Sequence, residues 1–188
     1  MIVSTPDHPG DVDFLRFPDG SSLELRPIGV KDGRLLAAMA VHLSGESEFR
    51  RFLAPGKSQH RKWVARLVAA DQVDVLVHGA VATNAFGSVL VAVAESVRRQ
   101  DRPDRAEVAL VAADPWQNMG VGTLLARHLA ASAFATGVRF WEAVMLAENG
   151  VMAKVLDSVG PRVTEHLESG LVTVTHELTS PGGRRLEI

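Results

Sequence analysis

Cysteine and tyrosine are both absent from this chain of 188 residues. Without cysteine the chain can form no disulfide, hold no thiolate-bound metal and use no cysteine nucleophile. Without tyrosine it has no phenolic hydroxyl to serve as a general acid. The seven histidines show no ligand spacing such as H-E-x-x-H, so the sequence predicts no metal site.

An excess of charge of either sign is also missing. The formal net charge is −2 and the pI is about 6.4, which argues against a nucleic-acid-binding protein. No uninterrupted apolar run is long enough for a membrane span, and residues 1–13 contain no apolar signal core. We therefore expect a cytoplasmic protein with no nucleic-acid or membrane partner.

Alternating apolar and turn-forming residues predict a single-domain, mixed α/β chain. Residues 1–21 are expected to form an N-terminal segment with the first hairpin strand, 22–180 the domain proper, and 181–188 a flexible tail. The polar residues 44–56 predict an irregular segment. The predicted strands are 14–17, 22–26, 73–81, 88–94, 107–112, 139–146, 163–167 and 171–178, and the predicted helices are 31–43, 58–70 (capped by Ser58), 121–136 and 149–159.

One motif connects a predicted strand to a predicted helix: Gln117-Asn118-Met119-Gly120-Val121-Gly122. The first N–H groups of a helix lack internal partners, and glycines let a ligand approach the backbone, so such a turn is suited to a phosphate. A Rossmann fingerprint is excluded because Leu125 stands where its third glycine is needed, and a P-loop because Thr123 replaces its lysine. The alternative is a glycine-containing turn without a ligand.

The order of these elements and several short runs resemble the GNAT superfamily of N-acetyltransferases over about residues 22–178. Further short runs resemble the Pat-type bacterial protein lysine acetyltransferases. Two positions depart from the family pattern: Gly160-Pro161 stands for Gly-Phe, and Leu156 for a tyrosine that many members use as an acid. The runs that carry the superfamily resemblance are Glu107-Val108-Ala109-Leu110-Val111, Asp114-Pro115-Trp116-Gln117, Gly120-Val121-Gly122 and Asn149, and those of the Pat type include Leu25-Arg26-Pro27-Ile28, Glu46-Ser47, Arg51-Phe52 and Glu148-Asn149.

The resemblance implies a mostly antiparallel sheet flanked by helices and splayed at an acyl-CoA site. It implies acetyl-CoA as cosubstrate, with no metal. The backbone N–H of Val111 would polarise the thioester carbonyl. The alternative is an ordinary ladder residue of a central strand. The residues that would contact the cosubstrate are Val111, Ala112, Ala113, Gln117, Asn118, Met119, Gly120, Val121, Gly122, Thr123 and Asn149, of which Asn149 is equally well a helix N-cap.

The resemblance also places a general base at Glu107. An alkyl ammonium has a pKa of roughly 10.4, so it must lose a proton before it attacks a thioester. A carboxylate beside Val108 and Leu110 could accept that proton directly or through one water. The alternative is a strand glutamate that simply faces solvent, as period-two alternation allows.

Three functions follow from these features. The first is direct acetyl transfer from acetyl-CoA to an amine, which the Pat-type resemblance identifies as a protein lysine, such as one on an acyl-CoA synthetase. The second is acetylation of a small-molecule amine. The third is a non-catalytic acyl-CoA-binding regulatory module, for which the missing tyrosine and the Gly160-Pro161 sequence argue. An oligomer is possible.

Overall fold

The computed structural model describes residues 2–4, 13–16, 20–53 and 60–180. These residues form nine strands and five α-helices, with short 3-10 turns at Val30–Asp32 and Asp114–Trp116. In chain order they are β1 Ile2–Ser4, β2 Asp13–Arg16, β3 Ser22–Pro27, α1 Gly33–His42, α2 Gly45–Phe52, α3 His60–Val68, β4 Val75–Asn84, β5 Gly87–Arg98, β6 Arg105–Ala112, α4 Val121–Ala135, β7 Phe140–Leu146, α5 Gly150–Asp157, β8 Arg162–Glu168 and β9 Leu171–Glu177.

The strands form one sheet in the order β1-β2-β3-β4-β5-β6-β7-β9-β8, and every neighbouring pair except β6–β7 is antiparallel. The parallel pair is short, because it joins only Arg105–Glu107 to Phe140–Glu142. Strand β7 nevertheless stays paired with β9 as far as Leu146. Strands β6 and β7 therefore separate beyond Glu107, and the predicted mixed, splayed α/β fold is confirmed.

Two apolar layers cover the two faces of the sheet. Leu125, Leu129 and Leu156 of α4 and α5 are buried on one face, and Leu36 and Leu67 of α1 and α3 on the other. Because side chains alternate along a strand, β6 contributes to both layers. Its residues Ala106 and Val108 pack toward α4, whereas Val111 packs toward α1 and α3.

Helix α2 lies inside the segment that the sequence predicts to be irregular, so that prediction is wrong. Its eight residues include only two apolar ones, Phe49 and Phe52, too few to show helical periodicity. The helix depends instead on its N-terminal cap, where the Ser44 hydroxyl accepts from the Ser47 N–H at 3.2 Å, and on contacts with distant residues. The predicted Ser58 cap and the predicted tail 181–188 lie outside the described residues.

Strand β5 extends to Arg98, four residues beyond its predicted end. Its last residues include polar ones, so the apolar pattern that predicts a strand ends before them. Glu95 and Ser96 are nevertheless buried, with only 4% and 2% exposed. They are buried because each has a partner. The Trp141 indole donates to the Ser96 hydroxyl at 3.0 Å, and two arginines bind the Glu95 carboxylate.

The Gly160-Pro161 step lets the entry to β8 approach the end of β9 closely. A Cβ atom added to Gly160 would lie 1.9 Å from the Glu177 carbonyl oxygen, which is a clash with backbone. The Glu177 N–H in turn donates to the Pro161 carbonyl at 3.0 Å. The glycine is thus required for packing, whichever residue follows it.

We predict that Gly160→Ala destabilises the fold by at least about 1–3 kcal/mol, the cost of overpacking a close contact. Urea denaturation would measure the loss. Gly150→Ala is the matched control, because nothing lies within 4 Å of an added Cβ at this helical position, so its stability should be equal or higher. Equal stability of the two variants would contradict the assigned role of Gly160.

Candidate functional site

A cleft of about 380 Å³ lies where β6 and β7 separate. Helix α2 forms one wall, the glycine loop closes one end, and α5 and β7 complete the lining. Of the residues predicted to bind the cosubstrate, those that line this cleft are Val111, Ala112, Gln117, Asn118, Gly120, Gly122, Thr123 and Asn149.

Four predicted site residues do not line the cleft. Val121 is buried in the core beneath the loop, and Met119 is 63% exposed. The Ala113 N–H is occupied by a 2.8 Å bond to the Val91 carbonyl. Glu107 lies one residue before the first lining residue of β6, at the point where the strands begin to part.

The glycine loop has the backbone of an anion site. Asn118 and Gly120 adopt left-handed conformations, with φ of 59° and 81°, which turn the chain sharply into α4. The first bond of α4 joins the Leu124 N–H to the Gly120 carbonyl at 3.0 Å, so the three preceding helical N–H groups have no intrahelical partner. Exposed N–H groups and the positive helix end favour a phosphate at this position.

Strand β6 presents alternate backbone groups to β5 and to the cleft. The ladder between β5 and β6 has no register shift. A hydrogen bond lies at each of its ends, from the Ala113 N–H to the Val91 carbonyl and from the Arg99 N–H to the Arg105 carbonyl. In such a ladder the bonded pairs recur every second residue, so the N–H of Val111 faces Val93 on β5. Its predicted contact with the thioester is therefore corrected: the one bulge in this region lies in β5, beside Val91, and not in β6.

The backbone groups that face the cleft belong to Leu110 and Ala112. The sequence analysis did not predict Leu110 as a site residue. The direction of each backbone N–H depends on how the strand pairs with its neighbours, and no local sequence pattern reveals that pairing. The Ala112 carbonyl confirms this orientation, since it accepts a 3.1 Å bond from the Gln117 side chain on the cleft side. Leu110 is therefore the residue whose N–H can meet a thioester carbonyl here.

The Gln117 side chain has a structural role. Its amide nitrogen donates to the Ala112 carbonyl and, at 2.8 Å, to the Ser47 hydroxyl of α2. Its backbone N–H donates to the Asp114 carbonyl at 3.2 Å. Gln117 thus holds the loop against β6 and α2, and the residues that follow it are left to meet a phosphate.

Asp114 fastens α2 to the same loop. Its carboxylate accepts from the Ser44 hydroxyl at 2.6 Å, the Ser44 N–H at 3.0 Å and the Ser47 hydroxyl at 2.9 Å. Partial burial opposes ionisation, but the bonds from Ser44 and Ser47 outweigh it and hold the pKa of Asp114 below its ordinary value. The short helix is therefore fixed by a residue seventy positions away.

Glu107 is 71% exposed, and its nearest cation is Arg99, with Nη1 3.9 Å from Oε1. Val108 and Leu110, expected to surround the carboxylate, project from the opposite face of the sheet, as strand alternation requires. Glu142 of β7 lies beside Glu107 in the parallel register and binds Arg105 at 2.9 Å. Glu107 is thus an accessible carboxylate at the edge of the cleft, on the face covered by α1 and α3.

Asn149 is the predicted N-cap of α5, and its contact with the cosubstrate stays a prediction. Its side chain accepts from the Met152 N–H at 3.1 Å, which makes it the N-cap of α5, and it also lines the cleft. Leu156, which stands where the family often has tyrosine, is 1% exposed and packs in the core. It supplies no acid toward the cleft.

None of the histidines that the structure describes lines this cleft. His78 and His128 stack with ring centroids 4.8 Å apart between β4 and α4, and burial followed by the His128 charge lowers the pKa of His78 to about 3. His78 is therefore neutral at physiological pH. Among the described residues no group of three histidine or carboxylate side chains is arranged to hold a metal ion. No helix among them is long and apolar enough to cross a membrane.

The loop geometry predicts a charge-specific effect at Gly120. Both Gly120→Asn and Gly120→Asp place a similar side chain at a left-handed position that asparagine and aspartate tolerate. Only aspartate adds a negative charge beside a bound pyrophosphate. Calorimetry should show CoA affinity reduced far more by Gly120→Asp than by Gly120→Asn, and equal losses would argue against phosphate at this loop.

The tie between α2 and the loop predicts coupled effects of Ser47→Ala and Asp114→Ala. Each variant should lose about 0.5–2 kcal/mol of stability, and the double variant less than the sum, because both changes break one network. Urea denaturation would measure this cycle, and strictly additive losses would contradict the network. Since the folded pKa of Asp114 is lowered, its contribution holds above about pH 4 and is lost as the pH falls further.

Comparisons with known proteins identify relatives of the whole domain. The chain is 32% identical over 141 residues to the acetyltransferase Pat of Mycolicibacterium smegmatis, covering 75% of this chain and 41% of that protein. The crystal structure of the GNAT domain of S. lividans PAT is 30% identical, with a TM-score of 0.76, covering 93% of this chain and all of that one. No family model matches the chain.

A more distant structural match has acetyl-CoA bound. It is yncA, a putative acetyltransferase from Salmonella typhimurium with its cofactor acetyl-CoA, at 13% identity and a TM-score of 0.60. The match covers 86% of this chain and 99% of that one. At this identity the similarity shows the fold alone.

Proposed function

Because the chain belongs to the GNAT family of N-acetyltransferases, and within it to the Pat-type group, we propose that it transfers the acetyl group of acetyl-CoA to the side chain of a protein lysine. One observation carries the proposal. Strands β6 and β7 part directly beyond the pair Glu107–Glu142, and the cleft so formed ends at the glycine loop. An extended thioester fits between two strands that are no longer hydrogen-bonded to each other.

The cleft offers a different contact to each part of acetyl-CoA. The pyrophosphate would meet the N–H groups of the loop and the first turn of α4, with Thr123 adding a hydroxyl. The pantetheine arm would run along β6 past Ala112, making strand-like hydrogen bonds, with Asn149 on the opposite wall. The thioester would then lie near Leu110, whose N–H is aimed at the oxygen that becomes negative.

The reaction is a direct transfer. The amine nitrogen attacks the thioester carbon, a C–N bond forms, the C–S bond breaks and CoA leaves as the thiolate. A proton must leave the nitrogen, and Glu107 would accept it through one water, consistent with its exposed position at the cleft edge. A cysteine-linked acyl-enzyme is excluded, because the chain contains no cysteine.

The choice of acceptor rests on the Pat-type relatives. The chain spans 41% of the length of the curated Pat protein, so the acceptor of that longer protein does not transfer directly to this chain. A lysine on another protein, such as an acyl-CoA synthetase, is the acceptor we propose, and cytoplasmic acetyl-CoA is the donor. The experiment that tests this proposal is incubation of the protein with acetyl-CoA and a proteome lysate, followed by mapping of new acetyl-lysines.

Each outcome of that experiment distinguishes a function. New acetyl-lysines that depend on the protein support lysine acetylation. Turnover with an amine panel but not with proteins would indicate a small-molecule acceptor. Stabilisation by acetyl-CoA without any acceptor-dependent CoA release would indicate a binding module, for which the buried Leu156 argues.

Glu107→Gln tests the general base, because it keeps the shape and removes the proton acceptor. Where chemistry limits turnover, kcat should fall by roughly 10²- to 10⁴-fold, and acetyl-CoA affinity should barely change. The defect should shrink at high pH, where more of the amine is already neutral. Glu142→Gln, on the neighbouring strand, should have a smaller effect. A wild-type kcat in Glu107→Gln at neutral pH would rule out this role.

A further inference from the structure

Helix α3 presents an exposed basic face next to the cleft. The sequence from Phe49 to Ala70 contains six lysine and arginine residues and no aspartate or glutamate, in a chain of net charge −2. Within α3 the exposed positions are 61, 62, 65 and 66, which share one side of a helix. The opposite side, with Trp63 and Leu67, is buried against the sheet.

The two outer cations of this face have no partner in the described part of the chain. Arg61 and Lys62 are exposed and form no ion pair or hydrogen bond with described residues. Arg66 binds Glu95, with Nη1 2.5 Å from Oε2, yet half of its side chain remains exposed. The face is therefore basic, and no carboxylate in ranges 20–53 and 60–180 neutralises Arg61 or Lys62.

This basic face adjoins the wall of the cleft. Arg51, which lines the cleft, binds the same Glu95 carboxylate as Arg66. Phe52 of α2 packs edge-on against Trp63 of α3, with ring centroids 5.3 Å apart. Because Arg51 of the cleft and Arg66 of the basic face bind one carboxylate, a single side chain, that of Glu95, links the basic face to the cleft wall.

The basic face also lies on the side from which an acceptor would reach Glu107. Glu107 projects from the sheet face that α1 and α3 cover, the face to which Val111 also contributes. Helices α4 and α5, which hold the proposed CoA contacts, cover the opposite face. A protein that presents a lysine to Glu107 would therefore approach on the sheet face that carries α3.

We propose that the basic face of Arg61, Lys62 and Arg66 docks an acidic surface of the acceptor protein, a surface close to the reactive lysine. This inference rests on the proposed function and adds the chemistry by which acceptors are selected. Opposite charges at this position accelerate encounter and fix orientation more than they add affinity. They are also screened by salt, since the groups are exposed.

A peptide series tests the proposal. Each peptide carries one lysine and a block of three residues, glutamate, alanine or arginine, that begins two, five or eight positions away. An extended chain advances roughly 3.3 Å per residue, so the series samples the distance from the cleft to α3. At low ionic strength the glutamate peptides should show the highest kcat/KM at one spacing, and added salt should remove the advantage.

The variant Arg61→Glu/Lys62→Glu should reverse that preference. These side chains make no contact that folding requires, and the acidic peptides should lose about two- to thirty-fold in kcat/KM, while the alanine peptides change little. Arg127→Glu is the matched control, an exposed arginine on α4 across the sheet, and should leave the preference intact. Acetyl-CoA affinity and melting temperature should match the wild type in both variants.

Several outcomes would overturn the docking proposal while leaving acetyl transfer in place. Equal kcat/KM for the glutamate, alanine and arginine peptides would do so, as would an unchanged preference in the double variant. Loss of acetyl-CoA affinity in that variant would assign the face to the CoA phosphates, and salt-sensitive binding of DNA that competes with acceptor would assign it to nucleic acid. If no peptide or lysate protein is acetylated at all, the proposed function itself fails.

Discussion

The separation of β6 and β7 is the constraint on which the site depends. Were the parallel pairing to continue beyond Glu107–Glu142, the backbone groups of Leu110 and Ala112 would be consumed by the ladder and the cleft would not exist. The opening is kept from collapsing because each strand is held on its other side, β6 by β5 and β7 by β9. Unpaired backbone groups are costly unless water or a ligand satisfies them, so the cleft is built to receive an extended polar chain.

The walls of the cleft are joined by polar contacts between residues distant in sequence. Asp114, in the short turn after β6, binds Ser44 and Ser47 at the N-terminus of α2, and Gln117 joins Ser47 to the strand. The loop that would receive the phosphate and the helix that borders the acceptor side are thus parts of one hydrogen-bonded unit. Such networks gain strength from mutual support, and the loss of one member leaves others unsatisfied.

The fold could be predicted from the sequence where the local pattern and the tertiary structure agree. Helix α4 has a strong apolar face, and the hairpin of β8 and β9 has a turn at Ser169-Gly170, so both were predicted close to their true bounds. Helix α2 could not be predicted, since its stability comes from Asp114 rather than from periodicity. The end of β5 was missed for the same reason, because Glu95 is polar locally and is buried only with its arginines.

In the candidate site too, some features could be predicted from adjacent residues and others depend on strand pairing. The glycine loop was predictable because left-handed turns and helix starts are properties of a few adjacent residues, and Gly120 and Asn118 have them. The N–H proposed to meet the thioester could not be predicted, because the direction of an N–H depends on which partner residue lies opposite. A shift of one position along β6 exchanges Val111 for Leu110. Glu107 lies on the same alternation as Val111, and its side chain therefore projects from the face that α1 and α3 cover, away from Val108. The register that turns the Val111 N–H toward β5 also places the Glu107 side chain at the edge of the cleft. Under the proposed function, the acetyl donor and the acceptor would therefore contact different groups of one strand.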